Sequence, residues 1–150
     1  MFDIELITYN NGTAFYPARF NRIKNSPGNK PLGGLWSSPV NCSFGWVDWC
    51  VQEEYGNLRR RDPCDSFVFR YAGEVLKIDT LADMEALPWI EDRGLWSIDF
   101  ERLCRQQFGA IYLTEQGQNK TSLSHPINLY GWDCETVLIL NPQGIIFPSK

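Results

Sequence analysis

The apolar residues of this 150-residue chain come in short runs broken by strong turn signals, and that punctuation limits what it can fold into. The longest apolar stretches, residues 137–140 and 144–147, are split by the turn Asn141-Pro142-Gln143. Both fall far short of the roughly 20 residues a membrane-crossing helix needs. With 43% apolar and 14% aromatic residues the chain can nonetheless bury a real core, and its length suits one domain spanning residues 1–150. Lys and Arg total 14 against 18 Asp and Glu, a formal charge of −4 that provides no global basic field for a polyanion. The N-terminus, Met-Phe-Asp-Ile-Glu-Leu, has acidic residues where a signal peptide needs a basic start and an unbroken apolar run. The expectation is a soluble, cytoplasmic protein with no membrane partner.

The five cysteines, Cys42, Cys50, Cys64, Cys104 and Cys134, are odd in number. No two are separated by two residues, as a zinc knuckle or a redox dithiol requires, so they read as reduced, buried thiols. The one histidine, His125, precedes Pro126 and reads as a loop residue. No metal site is expected.

Residues 2–9 alternate loosely and end at Asn10-Asn11-Gly12, predicting a first strand. Residues 21–34 are dense in Asn, Pro and Gly and predict a loop, which delivers Leu35-Trp36-Ser37-Ser38-Pro39. Ser43 can cap a helix through about Tyr55, with Trp46, Trp49 and Cys50 on one face. Residues 66–71 and 75–78 read as strands and residues 81–87 as a short helix. The pattern after Ser97, with Ile98, Phe100, Leu103, Cys104 and Phe108, predicts a helix closed by Gly109. Residues 110–114 read as a strand, 115–124 as an exposed connection, and 134–140 and 144–147 as the last strands. Strands at both ends with helices grouped between them predict an α+β fold.

Walker, Gly-x-Gly-x-x-Gly, Gly-x-Ser-x-Gly and His-Glu-x-x-His motifs are all missing, which removes common NTPases, Rossmann oxidoreductases, hydrolases and zinc proteases. Two segments differ from ordinary core. In Lys30-Pro-Leu-Gly-Gly-Leu-Trp-Ser-Ser-Pro39 the glycines allow a flat ligand close approach, the hydroxyls can orient it and the indole can stack on it. The same residues are open to a plainer reading, a tight turn anchored by Trp36. In residues 129–140, Asp133 and Glu135 stand two apart at the head of a very apolar strand, where i and i+2 share a face. Two carboxylates on one face cost free energy unless paired or used. A solvated strand end is the alternative.

The order of these features resembles the ADP-ribosyltransferase superfamily: an N-terminal strand with a polar end, Gly-Gly-Leu-Trp-Ser-Ser, an aromatic helix, then Asp-x-Glu opening a late strand. The resemblance implies a split β-sandwich around a cleft for NAD, here a substrate. It makes Glu135 in Trp-Asp-Cys-Glu the catalytic residue and Asp133 the residue facing the acceptor. It sets Gly34, Trp36, Ser37 and Ser38 at the nicotinamide, with Trp36 in the stacking position, Trp46 reinforcing it and Ser37 hydrogen-bonding nearby. The family's first-motif Arg or His is replaced by Asn10, which can bond a ribose hydroxyl; Arg19 or Arg22 can supply the missing charge. The implied activity is transfer of ADP-ribose to a macromolecular acceptor, protein ahead of nucleic acid, with release of nicotinamide. The alternatives are an NAD glycohydrolase and a non-catalytic module of the same fold that binds a peptide or nucleotide.

Overall fold

The computed structural model describes residues 2–9, 20–53 and 66–147. In chain order it contains β1 (Phe2–Tyr9), β2 (Leu35–Pro39), α1 (Trp46–Gln52), β3 (Ser66–Gly73), β4 (Val75–Ile78) and α2 (Leu81–Glu85). The hairpin β5 (Trp89–Asp92) and β6 (Leu95–Ile98) follows, then α3 (Phe100–Arg105), β7 (Ala110–Leu113), α4 (Glu115–Thr121), β8 (Thr136–Ile139) and β9 (Ile145–Ile146). Seven strands form one mixed sheet in the order β4-β7-β8-β2-β1-β3-β9, with β5 and β6 paired separately. Among the described strands, only β4 and β7 run parallel. A parallel pair needs a crossover, and α2, the hairpin and α3 supply it. The fold is α+β. No helix among the described residues is long and apolar enough to cross a membrane.

Period-two alternation divides the sheet into two faces. Ile111, Leu113, Leu138 and Leu140 point into a core closed by Met84, Leu87, Ile98, Phe100, Leu103 and Trp132 from the helices and loops. The intervening Ala110, Val137 and Ile139 join Leu6, Phe69 and Tyr71 in a second core on the opposite face. That second core unites strands distant in the sheet order. Four strand spacings separate β7 from β3, about 19 Å in a flat sheet. Yet a Cβ on Gly109, at the head of β7, would overlap the Tyr71 hydroxyl of β3. The sheet therefore folds over this face and encloses the second core between its two halves.

Several local expectations are corrected. Residues 115–121 form a helix, not a connection: Thr114 caps it by accepting from Gly117 N at 3.0 Å. α1 begins at Trp46, with Gly45 at its N-cap in place of Ser43; Ser38 Oγ accepts the Trp46 N–H at 2.9 Å and Asp48 Oδ2 accepts that of Gly45. Residues 95–98 are a strand, so α3 is capped by Asp99, and the left-handed residue beyond it is Gln107 (φ 67°), not Gly109. The β5–β6 hairpin, turning at Arg93 (φ 54°) and Gly94 (φ 84°), was not expected.

Candidate functional site

β8 is the strand around which the polar and aromatic side chains gather. Its four residues are all buried, because it lies between β7 and β2 with a core on each face. Immediately before it, Cys134 is buried while Asp133 and Glu135 on either side are half-buried. Thr136 Oγ1 donates to Cys134 O at 2.8 Å and Ser38 Oγ donates to Glu135 O at 2.7 Å. The main chain at Glu135 is thus pinned both from its own strand and from β2.

The Glu135 carboxylate is held from β7. Tyr112 donates its phenol proton to Oε2 at 2.8 Å, and Oε1 has no partner among the described residues. Tyr112 lies opposite Val137 in register, which places it on the face Glu135 uses. Burial first, then the bonded carboxylate, push this phenol well above its ordinary value of 10.0, so it remains a donor. Burial, followed by the charges of Glu135 and Asp48, raises the Cys42 thiol to about 11. Burial raises that of Cys134 to about 12. Neither is a nucleophile at neutral pH.

The tryptophans occupy the other face. Trp36 pairs with Leu138 in register and meets Trp132 edge-on at 4.9 Å and Trp46 at 5.6 Å between ring centroids. Lys30 Nζ sits 5.6 and 5.5 Å from the Trp36 and Trp46 rings, a cation shared by two π faces. Trp132 donates its indole proton to Asn29 O at 2.8 Å, whereas the buried Trp46 Nε1 has no hydrogen-bond partner among the described residues.

This geometry divides the residues that sequence reasoning grouped around one ligand. Glu135 and Ser37 face the enclosed core, whereas Trp36 and Ser38 point to the opposite side, where Trp46 of α1 meets Trp36, because consecutive strand residues point to opposite sides. Trp36 therefore cannot stack on a ligand held by Glu135. Ser37 is fully buried and donates to Val137 O at 2.7 Å, and Ser38 bonds Glu135 O and Trp46 N; both hydroxyls join neighbouring segments and do not face a ligand. Buried Thr8 does the same from β1, donating to Trp36 O. At Gly34 (φ 79°) a Cβ would meet Ile23 Cδ1 at 2.9 Å and Ile139 O at 3.0 Å, so glycine is required by packing and backbone conformation.

Asn10 and Arg19 lie outside the described residues. Arg22 stands at the Leu140 end of β8, about 17 Å along the strand from Glu135, so it does not supply charge beside that carboxylate. Sequence reasoning missed Tyr112, whose tie to Glu135 depends on the β7–β8 register and leaves no local pattern. Among the described residues no group of three or more His, Cys, Asp and Glu side chains is arranged to hold a metal ion. No family model, curated protein or solved structure matches the chain, which leaves the setting of Glu135 as the ground for a functional reading.

Proposed function

We propose that the chain is an NAD-dependent ADP-ribosyltransferase, with Glu135 its catalytic carboxylate and a macromolecule, protein ahead of nucleic acid, as acceptor. One observation carries the reading. Three of the four segments on which the family resemblance rests, β1, β2 and the head of β8, are adjacent strands at the centre of the sheet, and Glu135 stands there with one carboxylate oxygen clamped and the other without a partner among the described residues. A sheet folded over one face also agrees with a split β-sandwich.

The chemistry asks little more of the protein. Breaking the ribose–nicotinamide bond sends the electron pair to the pyridinium nitrogen, and positive charge develops on the ribose carbon and its ring oxygen. A fixed carboxylate stabilises that charge and accepts from a ribose hydroxyl through Glu135 Oε1. The acceptor's nucleophile then bonds the ribose carbon and releases its proton. Asp133, two residues earlier, orients the acceptor. The nicotinamide seat belongs on the Glu135 face, and Trp36 and Trp46 brace the sheet from behind.

Incubation with labelled NAD and a cell lysate tests the proposal. Wild type labels a macromolecule and releases nicotinamide. Glu135→Gln keeps volume and loses charge, so turnover drops by about 100-fold or more while thermal stability changes little. Free ADP-ribose without labelled macromolecule identifies a glycohydrolase. Absence of NAD turnover by wild type removes the enzymatic reading and leaves the non-catalytic module.

A further inference from the structure

At the end of β8 remote from Glu135, a groove of about 750 Å³ opens between residues 20–24, the end of α3 and residues 140–142. This lies within the roughly 300–1,000 Å³ of small-molecule sites. Its floor is apolar, with Ile23 and Leu140 buried and Phe20 and Phe108 half-buried. Its rim carries Arg22, Lys24 and Arg105, three exposed cations on a chain whose formal charge is −4. None of the three makes an ion pair among the described residues. Arg22 and Arg105 line the groove together with Cys104, whose thiol burial pushes up while the two arginines pull it down.

A bare anion would satisfy the cations, but the rim also holds a carboxylate. Glu101 Oε2 accepts the Asn25 N–H at 3.1 Å, and Oε1 has no partner among the described residues. Beside a simple anion this group only repels. A ligand that brings hydroxyl donors together with its anion uses it.

We propose that the groove binds a nucleoside monophosphate. The phosphate takes charge-assisted hydrogen bonds from Arg22, Arg105 and Lys24, whose guanidinium forks suit phosphate oxygens. The base packs against Phe20 and Phe108, as bases do on aromatic side chains generally. The ribose hydroxyls donate to Glu101. The site is independent of the Glu135 chemistry and stands whether or not the chain turns over NAD.

Calorimetric titration of the full chain with AMP, inorganic phosphate and adenosine tests it. AMP binds at least about tenfold tighter than phosphate or adenosine, and its affinity falls as salt rises. The double variant Arg22→Ala, Arg105→Ala alters exposed side chains, so its circular dichroism spectrum is unchanged while its AMP affinity drops about tenfold or more. Glu101→Gln keeps an acceptor for Asn25 N and separates attraction from repulsion: AMP binding weakens severalfold and phosphate binding does not. Glu135→Gln leaves AMP affinity unchanged. The proposal is overturned by no AMP binding at millimolar concentration, by undiminished binding in the double arginine variant, by phosphate matching AMP, by tighter AMP binding in Glu101→Gln, or by loss of binding in Glu135→Gln.

Discussion

Tyr112 of β7 fixes the Glu135 carboxylate from the neighbouring strand, donating to Oε2 at 2.8 Å. An acidic side chain two residues before a continuous apolar run marks the head of a buried strand, and the carboxylate is found there. Tyr112 carries no comparable mark, because alternation along residues 110–113 predicts a strand and says nothing about which strand it faces. The Tyr112–Glu135 bond makes a testable claim about positioning. Tyr112→Phe removes the donor and keeps the ring, so the carboxylate loses its orientation while its charge remains. Proposed NAD turnover then falls about tenfold in kcat with little change in KM, a smaller loss than that of Glu135→Gln, as expected when a donor acts through another group. Combining the two substitutions should cost no more than Glu135→Gln alone, since the phenol's effect on turnover runs through that carboxylate. Additive losses in steady-state kinetics would show that Tyr112 contributes separately.

Among elements, α4 shows why hydrophobic periodicity misses some helices. Its sequence, Glu-Gln-Gly-Gln-Asn-Lys-Thr, has no apolar stripe, and the residues it buries are Gly117 and Thr121, one turn apart. Glycine in a helix is ordinarily worse than alanine by about 1 kcal/mol. Here the sign reverses, because a Cβ on Gly117 would collide with the carbonyl of Ile78, which is main chain at the end of β4 and cannot swing aside. Gly117→Ala should destabilise the protein by about 1–3 kcal/mol and lower Tm by several degrees in a thermal melt. A rise in Tm would mean that α4 packs less closely on β4. The α3 cap adds a pH dependence. Asp99 Oδ1 accepts from Arg102 N at 3.0 Å and from Asn25 Nδ2 at 2.9 Å. Burial favours the neutral acid, but these bonds and the nearby arginines outweigh it and hold the carboxyl below its ordinary 3.8. A depressed folded-state value means that the cap's contribution is complete above about pH 4 and is lost as pH falls through the folded pKa. Asp99→Ala should therefore cost about 1 kcal/mol at pH 7, with the Tm difference from wild type shrinking as the pH falls below the ordinary carboxyl value of 3.8.

At the scale of the whole molecule, the α+β class and most strands were legible because each depends on patterns a few residues long. The division of the site between two faces was not. Trp36 and Ser37 are neighbours in sequence, and only the β2–β8 register shows which of them shares the face of Glu135. Closure of the sheet was equally hidden, since Gly109 read as a helix cap and Tyr71 as an ordinary strand residue, with 37 positions between them. The contact between them makes closure measurable. A Cβ at 109 would overlap the Tyr71 hydroxyl and lie 3.1 Å from Cζ, so the hydroxyl is the chief obstacle. Gly109→Ala alone should destabilise by about 1–3 kcal/mol, since the ring is buried between the halves of the sheet and must shift. Tyr71→Phe alone should cost less, because this hydroxyl makes no hydrogen bond among the described residues. With the hydroxyl removed, the added methyl meets only the ring edge, so the double variant should be more stable than the sum of the single losses predicts by about 1 kcal/mol. Chemical denaturation of the four proteins in this cycle measures the coupling, and a value near zero would place β3 out of reach of β7 and leave the sheet open.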